Sequence, residues 1–125
     1  MRLLLDTHIY LWLVRDDPKL GAAARQLIRR ADVVFVSSAS IWEIAIKASL
    51  GKLNADVAKL FASVEKSGFS ELSIRSAHAA QVRNLPLFHR DPFDRILIAQ
   101  AIFEGMQLLT ADRKLKLYSP LVIAQ

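Results

Sequence analysis

Short apolar runs of β type alternate with longer helical segments along this chain, and that alternation limits the fold more than any other feature. Leu3-Leu4-Leu5, Val33-Val34-Phe35-Val36 and Met106-Gln107-Leu108-Leu109 read as strands, with weaker runs near Glu71 to Ile74 and Leu121 to Ala124. Between them lie helical segments at about Thr7 to Val14, Leu20 to Arg30, Ala39 to Leu50, Ala55 to Lys66, Ser76 to Asn84 and Phe93 to Glu104. Asp16-Asp17-Pro18 breaks the first helix, and Gly51, Gly68 and Gly105 stand at helix ends. Strands alternating with helices predict an α/β fold around a mainly parallel sheet.

A chain of 125 residues suffices for one domain, 1–125, with its own core. The hydrophobic content of 53% is rich, so either the core is dense or a partner covers apolar surface. No apolar run approaches the ~20 residues of a membrane span. The opening Met1-Arg2-Leu3-Leu4-Leu5 resembles a secretion signal only until Asp6 and His8 interrupt it, and is expected to be the first strand. The absence of Cys removes disulfides and thiolate metal sites, and makes the cytoplasm the default location. A net charge of +5, from 17 Lys and Arg against 12 Asp and Glu, aids solubility and also suits a polyanionic partner.

Asp6, Glu43, Asp94 and Asp112 each fall where a predicted strand gives way to a helix or turn. Carboxyl ends of neighbouring parallel strands face one crevice, so these acids should converge. Converging carboxylates repel one another unless a hard divalent cation neutralises them. Each has a local alternative. Asp6 can cap the helix after it. Glu43 ends a Ser40-x-x-Glu43 capping-box pattern, unless the helix starts at Ser37 or Ser38, and Lys47 at i+4 can balance its charge. Asp91 fits an N-cap with Pro92 at the first helical position, leaving Asp94 in a first turn favoured by the helix dipole. Asp112 can cap the basic segment Arg113 to Lys116. Capping needs no shared location, whereas a metal site does, and the common sheet edge favours the metal site.

His8, His78 and His89 are too dispersed for a zinc constellation. Trp12 and Trp42 read as core or interface. No Gly-rich phosphate loop or Gly-x-Ser-x-Gly elbow occurs.

The segments Leu5-Asp6-Thr7-His8, Ser37-Ser38-Ala39-Ser40-Ile41-Trp42-Glu43, His89-Arg90-Asp91-Pro92-Phe93-Asp94-Arg95 and Leu109-Thr110-Ala111-Asp112 together resemble a PIN domain, more narrowly the VapC toxins of type II toxin–antitoxin modules. The resemblance covers almost the whole chain. It implies an α/β/α sandwich around a parallel sheet of four to five strands, and a Mg²⁺- or Mn²⁺-dependent ribonuclease. It carries the family's acidic residues onto Asp6, Glu43, Asp94 and Asp112. Its strand-exit hydroxyls fall on Thr7, Ser38 and Thr110, which would orient carboxylates or water. It also implies homodimers, an RNA substrate, and a small antitoxin that lays an apolar segment over the toxin. An ion held mainly by Asp6 and Asp94, with help from Asp112, and a second near Glu43 are expected; Arg90 and Arg95 are candidates for phosphate contact. Two rivals remain at this point: a phospho-acceptor signalling domain, which lacks its acid at the third strand (Ile74-Arg75-Ser76), and a catalytically silent scaffold.

Overall fold

Leu3, Leu4 and Leu5 of strand β1 (Arg2–Leu5) are completely buried, and the fold is built outward from them. A computed structural model describes residues 1–125. After β1 come helices α1 (Thr7–Val14) and α2 (Ala22–Arg30), strand β2 (Val33–Ser37), and helices α3 (Ser38–Ser49) and α4 (Val57–Lys66). Strand β3 (Ser70–Leu72), helix α5 (Ser76–Gln81), helix α6 (Pro92–Glu104), strand β4 (Gln107–Thr110) and strand β5 (Val122–Ala124) complete it. Short 3₁₀ turns occupy Val82–Asn84 and Arg113–Leu117.

The five strands form one sheet in the order β3-β2-β1-β4-β5, and every neighbouring pair is parallel. Leu5 lies opposite Val36 on one side and Leu109 on the other. The chain leaves β1 toward β2 on one side and returns to β4 on the other. The strand order therefore reverses at the β1–β4 boundary, where an open sheet leaves a crevice at its carboxyl edge.

Alternate residues of β1 face opposite layers. Leu3 and Leu5 pack with Ile9 and Tyr10 of α1, Ile44 of α3, and Leu60 of α4. Leu4 packs on the other face with Leu97 and Ile98 of α6, beside Leu108 of β4. Each leucine so buried contributes about 1.5–3 kcal/mol, which places the acidic residue that follows them at the centre of a rigid sheet. The resulting α/β/α sandwich is the architecture expected.

The boundaries differ from expectation where local chemistry intervenes. β2 runs on to Ser37, whose hydroxyl accepts from Ala39 N and starts α3 at once. α2 starts at Ala22, after Leu20 N–H donates to Asp17 O in a turn and Gly21 extends as the cap. The helix expected to reach Asn84 stays α only to Gln81 and tightens into the 3₁₀ turn. Leu85 precedes Pro86 and is extended, because a residue before proline is driven out of the α region. Gly105 ends α6 in the left-handed conformation, φ 66°, that only glycine adopts freely.

Candidate active site

Asp6 leaves the end of β1 at the reversal of strand order and is buried. Its Oδ1 accepts from Ile9 N at 2.9 Å, capping α1. Its Oδ2 accepts from the Thr110 hydroxyl of β4 and, at 3.3 Å, from Ala111 N. The cap and the crevice thus share one carboxylate: capping and site are not alternatives here. Burial raises the Asp6 carboxyl above the usual range against these hydrogen bonds and the charge of His8.

Thr110 carries the arrangement onward. Its Oγ1 also accepts from Asp112 N at 3.1 Å, so one hydroxyl ties Asp6 to Asp112. Asp112 caps the 3₁₀ turn through Oδ1, accepting from Lys114 N at 3.0 Å, which leaves Oδ2 toward the site. Across from it stands His89, whose Nε2 lies 2.8 Å from Asp94 Oδ2 and 3.9 Å from Asp112 Oδ2. Ligand-capable atoms of His89, Asp94 and Asp112 all lie within 4.8 Å of one another. Asp91 caps α6 by accepting from Phe93 N at 2.9 Å, with Pro92 opening the helix.

Electrostatics tie the remaining acids to this group. Asp94 is pushed up to about 6, first by desolvation, then by the charge of Asp91, with Asp6 adding to it; the His89 hydrogen bond opposes the shift. Asp6 stands outside the close group of His89, Asp94 and Asp112, but its charge reaches Asp94. Glu43 is buried inside α3, and Lys47 Nζ reaches its Oε2 at 2.6 Å. That hydrogen bond holds the Lys47 ammonium above its ordinary range, and Asp91 and Asp94 add to the effect. The Glu43–Lys47 pair therefore borders this acidic pit.

A PIN domain profile matches residues 3–119. The chain belongs to the PIN domain family. It is 32% identical over 115 residues to the "Ribonuclease VapC22" of Mycobacterium tuberculosis (strain ATCC 25618 / H37Rv), covering 90% of this chain and 88% of that protein. Among solved structures it resembles VapBC2 from Rickettsia felis bound to a DNA fragment from their promoter, with TM-score 0.72 and 16% identity over 100% of this chain and 98% of that one. It also resembles a toxin–antitoxin complex from Klebsiella pneumoniae, with TM-score 0.67 and 19% identity over 98% and 96% of the two chains. These two likenesses bear on the fold of the PIN sandwich.

Within the PIN fold, the expected residues take different places. Thr110 holds Asp6, as above. Thr7 donates to the Ser40 hydroxyl at 3.0 Å, joining α1 to α3 beneath the pit. Because the helix starts at Ser38, Ser40 and Glu43 form no capping box. Ser38 turns away: its hydroxyl accepts from Ile74 N at 3.1 Å, in the connection that follows β3, because the strand runs one residue past the expected end. Arg95 is the larger correction. Its guanidinium donates to the carbonyls of Val82, Leu85, Pro86 and His89 and to the Tyr118 hydroxyl. Those acceptors occupy both terminal nitrogens, so Arg95 organises the loop before α6, whereas Arg90 is exposed. His89, one of the dispersed histidines of the sequence and a loop residue beside Arg90, is drawn into the acidic group. Its only sequence signal is its position five residues before Asp94; that the intervening loop folds back depends on Arg95 and Tyr118, which no local pattern announces.

Proposed function

We propose that this protein is a divalent-metal-dependent endoribonuclease, the toxin of a type II toxin–antitoxin module, neutralised by a cognate antitoxin. The observation that carries the reading is the unbroken line of contacts from Asp6 through Thr110 and Asp112 to His89 and Asp94, at the crevice of a PIN sheet. The relative named as a ribonuclease supports the activity, and the toxin–antitoxin complexes among the structural neighbours support the partner.

The residues present fit a hard cation. Asp6 and Asp94 are both raised by burial, Asp94 further by its acidic neighbours, so the pit favours a proton or a metal over bare charge. Asp6, Asp94, Asp112 and Glu43 would hold Mg²⁺ or Mn²⁺ through oxygen. A bound ion would supply charge neutralisation at the phosphate and a more acidic water. The chain's own groups do the positioning. Thr110 and Ala111 N–H fix Oδ2 of Asp6, Thr7 and Ser40 brace the helices on either side, and Lys47 holds Glu43 at the rim. Water attacks phosphorus in line with the departing 3′-oxygen, leaving a 5′-phosphate and a 3′-hydroxyl.

A cleft of about 310 Å³ opens beside Thr7 and is lined by His8, Trp12, Arg15, Lys19, Lys47 and Lys52. Cations interleaved with aromatic rings suit a single-stranded RNA segment running to the acidic pit. A second groove of about 440 Å³ is lined by Trp42, Ile74, Val82, Phe93 and Ile96, with Arg90 among its walls. Trp42 is 59% exposed and meets Phe93 edge-on at 5.2 Å. An exposed tryptophan set against the half-buried Phe93, next to Asp94, suits the apolar segment of an antitoxin that blocks the site. No helix is long and apolar enough to cross a membrane. We place the protein's work in the cytoplasm, as one domain over residues 1–125 that pairs into a homodimer.

The test is cleavage of defined RNAs by the purified chain with Mg²⁺ or Mn²⁺, with the fragment ends sequenced. Cuts should appear with metal, vanish in excess EDTA, and carry 5′-phosphates. Undiminished cutting in EDTA would remove the proposal; no cutting of any RNA with either metal would favour the silent scaffold.

A further inference from the structure

His89 stands beside two acids at the head of α6, adding a nitrogen donor to their oxygens. The histidine lies in the irregular stretch before α6, yet three contacts hold its backbone. Its N–H donates to the Tyr118 hydroxyl at 2.8 Å, and its carbonyl accepts from Arg95 Nη1 and the Tyr118 hydroxyl, each at 3.4 Å. Tyr118 also accepts from Arg95 at 3.1 Å, which closes the clamp. The imidazole is thereby aimed at two acids from two different elements. Its Nε2 lies 2.8 Å from Asp94 Oδ2 and 3.9 Å from Asp112 Oδ2. A single N–H can serve one of those oxygens as a donor. A cation bound by all three would serve them together. Ligands about 2.1 Å from a six-coordinate ion stand about 3.0 Å apart when adjacent and about 4.2 Å when opposed. The distances around Nε2 fall close to that range, and the whole triad spans no more than 4.8 Å.

We propose that His89 is a metal ligand, its Nε2 joining Asp94 and Asp112 in a mixed nitrogen–oxygen set, and that this set selects a first-row transition ion such as Mn²⁺ over Mg²⁺. The inference rests on the metal-dependent reading above and names the ion that reading leaves open. The chemistry follows from donor type. Mg²⁺ takes oxygen and water and gains little from imidazole, whereas Mn²⁺, and more strongly Co²⁺ and Ni²⁺, accept it. Arg95 and Tyr118 become positioning residues, because they fix the loop that delivers the ring.

The test uses the full chain loaded with Mn²⁺ and reads electron spin-echo modulation. Directly bound imidazole nitrogen should be visible in the wild type, survive His8→Gln and disappear in His89→Gln. By calorimetry, His89→Gln should weaken Mn²⁺ binding by about tenfold to a hundredfold and Mg²⁺ binding by less than about threefold. Mn²⁺ bound without nitrogen coupling, or coupling that outlives His89→Gln, would overturn the assignment and make His89 only a hydrogen-bond partner of Asp94. If the variant fails to fold, the wild-type spectrum with ¹⁵N-labelled histidine still decides the matter. RNA cleavage in Mn²⁺ without nitrogen coupling would leave the nuclease reading intact and sink this one alone. Failure to bind either Mn²⁺ or Mg²⁺ at millimolar concentration would sink both.

Discussion

Helix α6 touches two polar clusters, one buried and one half-buried, and they are built on opposite terms. Toward its middle and end, His78 is completely buried: Nδ1 accepts from Arg75 N at 3.0 Å, and Nε2 faces Glu104 Oε1 at 3.0 Å. Gln100, also completely buried, accepts from Ser37 at 2.7 Å. The ring nitrogens and the Gln100 oxygen all have partners, and the one acid meets one histidine. At the start of the same helix, Asp94 shares its surroundings with Asp6, Asp91 and Asp112, and one partly exposed histidine faces two of them. The first cluster is satisfied and joins α5, α6 and the end of β2 into one body. The second has hydrogen bonds but a surplus of negative charge. Burial of polar groups alone therefore does not mark a site; a charge surplus that the protein's own cations do not balance does.

The sharpest way to break this comparison is to remove one charge from the unbalanced cluster. Asp6→Asn keeps a capping oxygen for Ile9 N and should leave the fold intact, while RNA cleavage falls at least about 10³-fold. Circular dichroism and a cleavage time course measure the two separately. Activity near wild type in that variant would mean that the surplus has no role in chemistry.

Arg95→Met comes next. If Arg95 organises the loop, its loss should lower cleavage and Mn²⁺ affinity together, by about 10- to 100-fold. The salt dependence of RNA binding should not change. A shallower salt slope with unaltered metal affinity would return Arg95 to the phosphate-contact role first expected of it. Arg90→Ala offers the contrast: there the salt slope should fall and metal affinity should hold.

How legible these features were depended on how local their causes are. The parallel sheet was readable because Leu3 to Leu5, Val33 to Val36 and Leu108 to Leu109 are apolar runs between helical segments, and nothing in the tertiary structure competes with that signal. Asp6 and Asp112 were readable because they follow strand ends and Asp94 because it lies in the first turn of its helix, and the parallel topology carries such positions to one edge; Glu43, inside α3, had the weakest local signal. The cap of α6 by Asp91 and Pro92 was equally local. The hydroxyls were harder. Ser38 missed the site because β2 continued one residue further than its apolar run, so that Ser37 became the cap. The destinations of Arg95 and His89 were not readable at all. They follow from a loop whose path is set by a tyrosine 23 residues beyond the arginine. Long-range contacts of that kind leave no periodic trace.

The balanced cluster should respond to mutation in the opposite sense to the unbalanced one. His78→Ala leaves Arg75 N–H and the Glu104 carboxylate without partners and opens a cavity beside Phe103, whose ring meets the imidazole at 5.4 Å. Stability should drop by about 2–4 kcal/mol, read from the denaturant midpoint, with cleavage per folded molecule nearly unchanged. A large loss of cleavage without loss of stability would move His78 into the chemistry.

The smallest effect separates the clusters by pH. Asp94 titrates near 6 in the folded chain, against an ordinary value of 3.8. The folded state therefore binds more protons than the unfolded chain between those two values, and the Asp94 contribution to stability falls as pH rises through that window. It is constant below the window, where both states are protonated, and constant again above it, where both are ionised. Asp6, raised in the same direction, adds to the decline. Metal takes the place of the lost proton, so Mn²⁺ should raise the melting temperature more at pH 7 than at pH 5, the difference being on the order of a few degrees. Asp94→Asn should flatten the metal-free slope relative to wild type. Equal slopes in wild type and Asp94→Asn would mean that the carboxylates at the head of α6 carry no excess charge, and the contrast between the two ends of the helix would fail.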